Sequence, residues 1–395
     1  MNKLTSIKFE FLRYSIESSI KPIFLYAVIA LFVFFKIFDL SNYNIAHPFL
    51  VEKIDIISNI IRFTLITYFV FYWIISGNQL NYLLLFFCFI IISFLSLYFS
   101  HTWLIFDLFF VPLFLMRFLE EKLFFKVIFF TSFSAFFLII ILNYCDVLYS
   151  PILHYRGDYI RYTFGFMHPN SLGFCIVLLC LYTLLTIRNH ILIKFLFFIG
   201  SAFFCYYYPN SFTSLFVILL LSLICLISSI IKKFEFLTYS IKNLSVIITL
   251  LFFCIIGFAF LASFTDLLNG LIEKLPGAIS ARFSMGRIAF SKYDISFWGT
   301  PMRIITEYQQ VILGIRDSFF TVDCAYFFLL IQYGVFNFII YTSLFTFSIC
   351  KAVKHHNLLA AFLCVVLALY GVSEIVILSP LFMPVFAYCL HDKNK

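Results

Sequence analysis

Long, continuously apolar runs alternate with short polar connections along the whole chain. The apolar windows fall roughly at 22–38, 56–76, 80–100, 102–118, 123–143, 166–187, 191–208, 211–231, 245–264, 325–350, 358–378 and 379–391. A helix needs about 20 such residues to cross the hydrocarbon core. The last window is short for a crossing, so the pattern predicts eleven or twelve spans. Barrel strands alternate apolar and polar positions, and these runs do not, which excludes an outer-membrane barrel. The expectation is an all-α, polytopic integral membrane protein. It is read as a single transmembrane domain over residues 1–395, with external loops at about 144–165 and 265–323.

Composition agrees with that pattern. Of the 395 residues 63% are hydrophobic and 12% charged, against about 45–50% and 25% in an ordinary soluble domain. One globular core cannot hide 59 Phe, because a compact chain leaves too much surface. A soluble enzyme and a nucleic-acid binder are thereby excluded. The net charge of +8 is topological instead. Alternate connections carry Lys3, Lys8, Arg13 and Lys21; Arg117, Lys122 and Lys126; Arg188 and Lys194; Lys232, Lys233 and Lys242; Lys351 and Lys354; and Lys393 and Lys395. These are 16 of the 27 basic residues. By the positive-inside rule they face the cytoplasm, with both termini inside. The polar N-terminal stretch lacks a small-residue cleavage site after the first apolar run, so that run reads as a retained span. The eleven cysteines stand singly, mostly within apolar runs. They suggest neither a disulfide framework nor a zinc site.

The two long external loops concentrate the candidate chemistry. The first supplies Arg156, Asp158, Arg161, His168 and Asn170 beside the start of a span, with Gly165 and Pro169 as backbone breakers. The second supplies Arg282, Arg287, Lys292, Arg303 and Arg316, then Asp317 and Asp323. Within it, Leu267, Leu268, Leu271, Ile272 and Leu275 recur at helical spacing, as do Ile304, Ile305, Tyr308, Val311 and Ile312. Both stretches are expected as short amphipathic helices on the outer membrane surface, with Phe290, Phe297 and Trp298 at the interface. Arginine forks match phosphate oxygens and keep their charge. Two arginine-bearing loops on one side of a membrane suit a diphosphate held at headgroup level. Pairing with nearby acids or lipid phosphates is the competing reading. Lys36, Arg62, Asp107 and Glu374 lie inside spans, all toward the outer end under the assigned orientation. Charges at such depth usually face a polar cavity or one another; mutual neutralisation of Arg62 and Asp107 is the plainer alternative.

Two stretches resemble the Wzy-type polysaccharide repeat-unit polymerases, relatives of the O-antigen ligases. One runs from Arg161 to Gly173 and carries Arg, Gly-Phe and His-Pro-Asn. The other runs from Arg287 through Gly314 to Val-Asp-Cys-Ala-Tyr at Val322–Tyr326 and then Gly334. The Gly-Val-Ser-Glu of residues 371–374 is similar to a glutamate-bearing late span of that family. Asn210-Ser211-Phe212 departs from it, since many relatives have Ser-Arg there. The resemblance implies polymerisation of oligosaccharide units carried on undecaprenyl diphosphate, at the external face of a bacterial cytoplasmic membrane. The partners implied are that lipid-linked glycan and membrane lipid, with a chain-length regulator and a flippase beside them. The product would be a capsule, O-antigen or exopolysaccharide.

Such a glycosyltransferase joins an acceptor hydroxyl to an anomeric carbon with inversion. Cations that stabilise the leaving diphosphate can stand in for a general acid, and the acceptor needs a base. No cofactor or metal is expected if arginines supply the charge. Arg161 and Arg287 lead as the diphosphate clamp, followed by Arg282 and Arg156. Asp323 leads as the base, with His168 and Glu374 as alternatives. Arg62, Asp107, Asn170 and Tyr326 are expected around the same polar cavity. Two of these candidates have a capping alternative, His168 for the helix starting near Asn170 and Asp323 for the tenth span. A ligase would have a nearly identical site, with histidine in place of Asp323. A lipid-linked oligosaccharide flippase or other transporter would need charges through both leaflets.

Overall fold

The computed structural model describes residues 21–76, 80–110, 119–149, 154–187, 190–231, 244–264, 277–305, 310, 320–355 and 357–390. These form two compact units. The first comprises Met1–Ile91, Phe114–Arg188 and Tyr207–Asn210; the second comprises Ile92–Leu113, Asn189–Tyr206 and Ser211–Lys395.

The first unit is built from α1 (Lys21–Phe38), α2 (Pro48–Ser76), the first half of α3 (Leu80–Ser100), α4 (Glu121–Tyr144), β1 (His154–Arg156), β2 (Tyr159–Arg161) and α5 (Pro169–Thr186). Helix α5 is apolar all round and buried almost throughout, as expected of a helix enclosed by others. Helix α4 packs on α5 and on α1. Pro169 occupies the first turn of α5, where the missing N–H costs nothing. Strands β1 and β2 form an antiparallel hairpin in which Arg156 faces Tyr159. Gly157, the first of the two turn residues, has φ +59°, the conformation that a tight hairpin turn requires. Gly165 has φ +86° and lies so close to α4 that an added Cβ would fall 2.9 Å from Asn143 Cβ. Its carbonyl accepts from Asn42 N–H at 2.8 Å.

The second unit contains the end of α3, a π-helical turn Phe106–Phe110, then α6 (Ile191–Tyr207, of which Tyr207 belongs to the first unit), α7 (Phe212–Ile231), α8 (Leu244–Phe264), α9 (Gly277–Lys292), α10 (Ala325–Gln332), α11 (Gly334–Lys354), α12 (Leu358–Ser373), a 3-10 turn Ile375–Leu378 and α13 (Met383–Leu390). Helix α12 is its centre, packed by α7, α8, α10, α11 and α13. Buried Ala360, Ala361, Ala368 and Gly371 keep that helix slim, so that neighbouring backbones approach closely without lipid between them. Helix α8 instead presents Val246, Ile247, Leu250, Leu251 and Phe253 outward.

Five described helical stretches are long and apolar enough to cross a membrane: Phe49–Phe71, Glu121–Tyr144, Pro169–Thr186, Leu244–Ser263 and Gly334–Lys354. Shorter apolar helices accompany them at Ile23–Phe38, Phe86–Ser100, Ile191–Tyr207, Phe212–Ile227 and Leu358–Ser373. The chain is a multi-pass, all-α membrane protein, and its helices follow the apolar windows closely.

Details of the helices refine or depart from the expected layout. The 325–350 window is broken at Tyr333–Gly334, where Gly334 has φ +83°. Val335 and Phe336 donate to the carbonyls of Ser296 and Phe297, and the Ile331 carbonyl accepts from Thr300. A loop therefore takes over the hydrogen bonds that a continuous helix would have used. Gly299 and Gly334 allow that contact, since a Cβ on Gly299 would overlap the Gln332 carbonyl oxygen. The 358–378 window ends its α-helix at Ser373, so Glu374 caps the C-terminal end of α12. Ile304 and Ile305 are extended, with Ile305 bridged to Phe320, so the helix expected there does not include them. Helix α13, at eight residues, is about 12 Å long, short for a crossing as the last window already suggested. The expected amphipathic positions Leu267, Leu268, Leu271, Ile272, Leu275, Tyr308, Val311 and Ile312 lie outside the described residues. So do Arg316, Asp317 and Gly314 and the basic residues Lys3, Lys8, Arg13, Arg117, Arg188, Lys232, Lys233, Lys242, Lys393 and Lys395.

Candidate functional site

In the second unit three helix ends and one helix flank meet at Arg282. It sits on α9, whose Phe283, Gly286 and Ala289 form a buried face at helical spacing. Gly286 is needed there, because a Cβ would come within 2.6 Å of the Phe327 ring. Arg282 Nη2 lies 3.0 Å from Glu374 Oε1, and the two side chains are only 10% and 6% exposed. Thr213, in the first turn of α7, donates from Oγ1 to the same carboxylate oxygen at 2.8 Å. Glu374 closes the C-terminal end of α12, where a negative charge opposes the helix dipole, while the start of α7 favours it. Burial of this carboxylate is tolerable only because the guanidinium and the hydroxyl replace its water.

Asp323 approaches Arg282 from another side, with Oδ2 3.6 Å from Nε and a side chain that is 41% exposed. Surrounding protein still pushes its carboxyl above the ordinary aspartate range by desolvation, and the Arg282 charge and a hydrogen bond with Thr321 pull it partly back. The N-cap of α10 is Cys324, so Asp323 precedes the cap and does not serve as it. Tyr326 is buried beneath and donates to the Ala368 carbonyl at 2.9 Å, and Gly371 leaves room for its hydroxyl end. Ser214 and Tyr370 Oη lie 3.4 Å apart alongside. Arg287, five residues on from Arg282 and so roughly 140° around the helix, donates from Nε to the Ser263 carbonyl at 3.3 Å.

The first unit gathers Arg156, Arg161, His168 and Asn170. Arg161 closes β2 at 9% exposure. Its Nε donates to the Pro209 carbonyl at 2.8 Å and its Nη2 to Asn170 Oδ1 at 2.7 Å. Arg156 Nη1 donates to Asn210 at both the carbonyl, 2.7 Å, and Oδ1, 3.2 Å. Tyr162 N–H adds a bond to Tyr208 O at 2.9 Å. The hairpin is thus laced to residues 208–210, with Asn210 at φ +46°, a left-handed conformation that Asn tolerates. His168 is the N-cap of α5, its Nδ1 accepting from Asn170 N–H at 3.1 Å. A neutral imidazole accepting at Nδ1 carries its proton on Nε2, so proton uptake by His168 would cost the cap. His154 meets the His168 ring edge to face at 4.9 Å.

Two charges within the expected spans are buried, Arg62 in the first unit and Asp107 in the second. Arg62 on α2 donates to Asn59 Oδ1 at 2.7 Å. Within the same unit it also acts on Asp39, with Lys36 and Asp55. Asp39 follows α1, and burial raises its carboxyl; Lys36, a Tyr43 hydrogen bond and Arg62 lower it, and Asp55 raises it. Asp107 stands on the π-helical turn at 2% exposure, within electrostatic reach of Tyr333, whose hydroxyl lies 2.9 Å from Thr102 Oγ1.

Reading the sequence missed Thr213, Thr321 and Asp39. Thr213 had a signal, a polar Asn-Ser-Phe-Thr-Ser stretch opening an apolar run, but nothing local marks it as a partner of a residue 161 positions later. Among the described residues no group of three or more His, Cys, Asp and Glu is placed to hold a metal ion. No protein-family model, curated protein or solved structure matches the chain.

Proposed function

We propose that this protein polymerises oligosaccharide units carried on undecaprenyl diphosphate, at the external face of a bacterial cytoplasmic membrane, with both termini in the cytoplasm. The observation that carries the reading is the juxtaposition of a deeply set guanidinium, Arg282, with a half-exposed carboxylate, Asp323, in a chain made mostly of membrane helices. An acceptor hydroxyl attacks the anomeric carbon of the donor sugar, the new C–O bond forms, and the bond from that carbon to the diphosphate oxygen breaks. The electron pair leaves with the diphosphate, whose growing charge Arg282 and Arg287 stabilise. Asp323 takes the hydroxyl proton. Its raised proton affinity suits this role, because a base too weak to hold the proton gives little assistance. Displacement in one step inverts the anomeric centre.

Arg156 and Arg161 support the reading through shape. Their bonds to Asn210, Pro209 and Asn170 hold the hairpin and the start of α5 in place. Arg282→Ala and Arg287→Ala, each placed in a strain lacking the gene, test the proposal. Loss of long polymer with single repeat units accumulating and membrane levels unchanged is expected; a near-normal length distribution would overturn it. The orientation is checked by cysteines placed at Asn269 and Lys232, of which only the first should react with an impermeant reagent from outside.

A further inference from the structure

The two carboxylates around Arg282 differ in a way that assigns them different tasks. Glu374 is 6% exposed, lies 3.0 Å from Nη2, and is itself gripped by Thr213 at 2.8 Å. Asp323 is 41% exposed and stands 3.6 Å from Nε, beyond a good hydrogen bond. An incoming anion can therefore exchange with Asp323 far more easily than with Glu374. Removing Glu374 from Arg282 would bury two charges apart, while moving Asp323 away only returns a partly wet carboxylate to water.

We infer that Glu374 and Thr213 are positioning residues that lock one edge of the Arg282 guanidinium, and that Asp323 is a placeholder on the other edge which the substrate's diphosphate displaces. This deepens, and rests on, the reading of Arg282 as a diphosphate contact. The exchange has a chemical consequence. While Asp323 faces Arg282, the cation stabilises its ionised form; once the diphosphate takes that edge, the carboxylate loses this support and gains proton affinity. The base is strengthened only when the donor is in place, so hydroxyl activation waits for the sugar it must attack. Glu374, which the sequence offers as a candidate base, takes the positioning role instead, with Thr213 and Arg282 both on its Oε1 and its side chain buried.

The test uses the full-length protein in lipid nanodiscs, with inorganic diphosphate in metal-free buffer as the probe and calorimetric titration as the readout. Thr213→Val should weaken diphosphate binding about tenfold, as expected for a lost hydrogen bond to a charged group, and Thr213→Ser should restore it. Asp323→Asn should bind diphosphate about three- to tenfold more tightly, because a competing charge near the surface is removed. A purely structural role for these residues would not produce opposite signs at Thr213 and Asp323. The assignment is overturned if wild type binds no diphosphate, if Thr213→Val matches wild type, or if Asp323→Asn binds more weakly. A polymer assay on the same preparations separates the two claims. The predicted affinity order without polymer from a lipid-linked donor would keep the positioning roles and remove glycosyl transfer; polymer without that order would do the reverse.

Discussion

Arg161 in the first unit and Arg282 in the second are buried to nearly the same degree, at 9% exposure for the one residue and 10% for the other's side chain. Their surroundings make them different instruments. Arg161 donates to a main-chain carbonyl and an amide oxygen, groups that belong to the fold and cannot be exchanged without opening it. Arg282 faces one carboxylate that is fixed and another that is half in solvent. Burial alone therefore does not set the two arginines apart. The exposure and charge of their partners do.

The largest expected effect sharpens this contrast on the Arg282 side. Asp323→Asn keeps size but removes basicity, and should lower polymer formation by about 10²–10⁴-fold with membrane levels unchanged. Full complementation would move the base elsewhere. On the other side, Arg161→Ala should act through stability. It strips bonds from the Pro209 carbonyl and Asn170, an effect of about 1.5–3 kcal/mol, visible as easier unfolding in detergent and lower membrane levels. Arg161→Ala protein with wild-type stability but no polymer would erase the distinction between the two arginines.

His168 gives a smaller and cleaner test. Asparagine caps helices well, so His168→Asn should keep both fold and activity, whereas His168→Ala should lose about 1 kcal/mol of stability. Loss of polymer by a stable His168→Asn protein would restore the imidazole as a base. The smallest effect concerns pH. Thr321 helps hold the Asp323 carboxyl down, so Thr321→Val should raise its proton affinity further. Activity that needs the carboxylate would then appear at higher pH, moving the rising limb of the pH–rate profile upward; an unmoved limb would separate Asp323 from the titration that controls rate.

How far the sequence could be read depends on the range of the interactions involved. Capping of α5 by His168 lies within two residues, and the pattern His-Pro-Asn before an apolar run displays both the cap and the proline that follows it. The Gly-Asp pair between Tyr155-Arg156 and Tyr159-Ile160 is a local hairpin signal, faint beside the apolar pattern because the strands it joins are only three residues long. Helix α9 escaped for a related reason. Its buried face consists of Phe283, Gly286 and Ala289, two of them too small to register as apolar periodicity.

The amino-acid sequence by itself determined that this chain is a bundle of membrane helices, and where nearly all of them lie, because burying apolar runs in lipid depends on local composition alone. It also offered Arg282, Asp323 and Glu374 among its candidates, since charge is rare in such a chain. Only the tertiary structure decided which of them meet. The grouping of Thr213, Arg282, Asp323 and Glu374 and the break at Tyr333–Gly334 depend on contacts between segments tens to more than a hundred residues apart. Hydrogen bonds and ion pairs act over about 3 Å, so their partners are set by how helices pack and are invisible in the order of the residues.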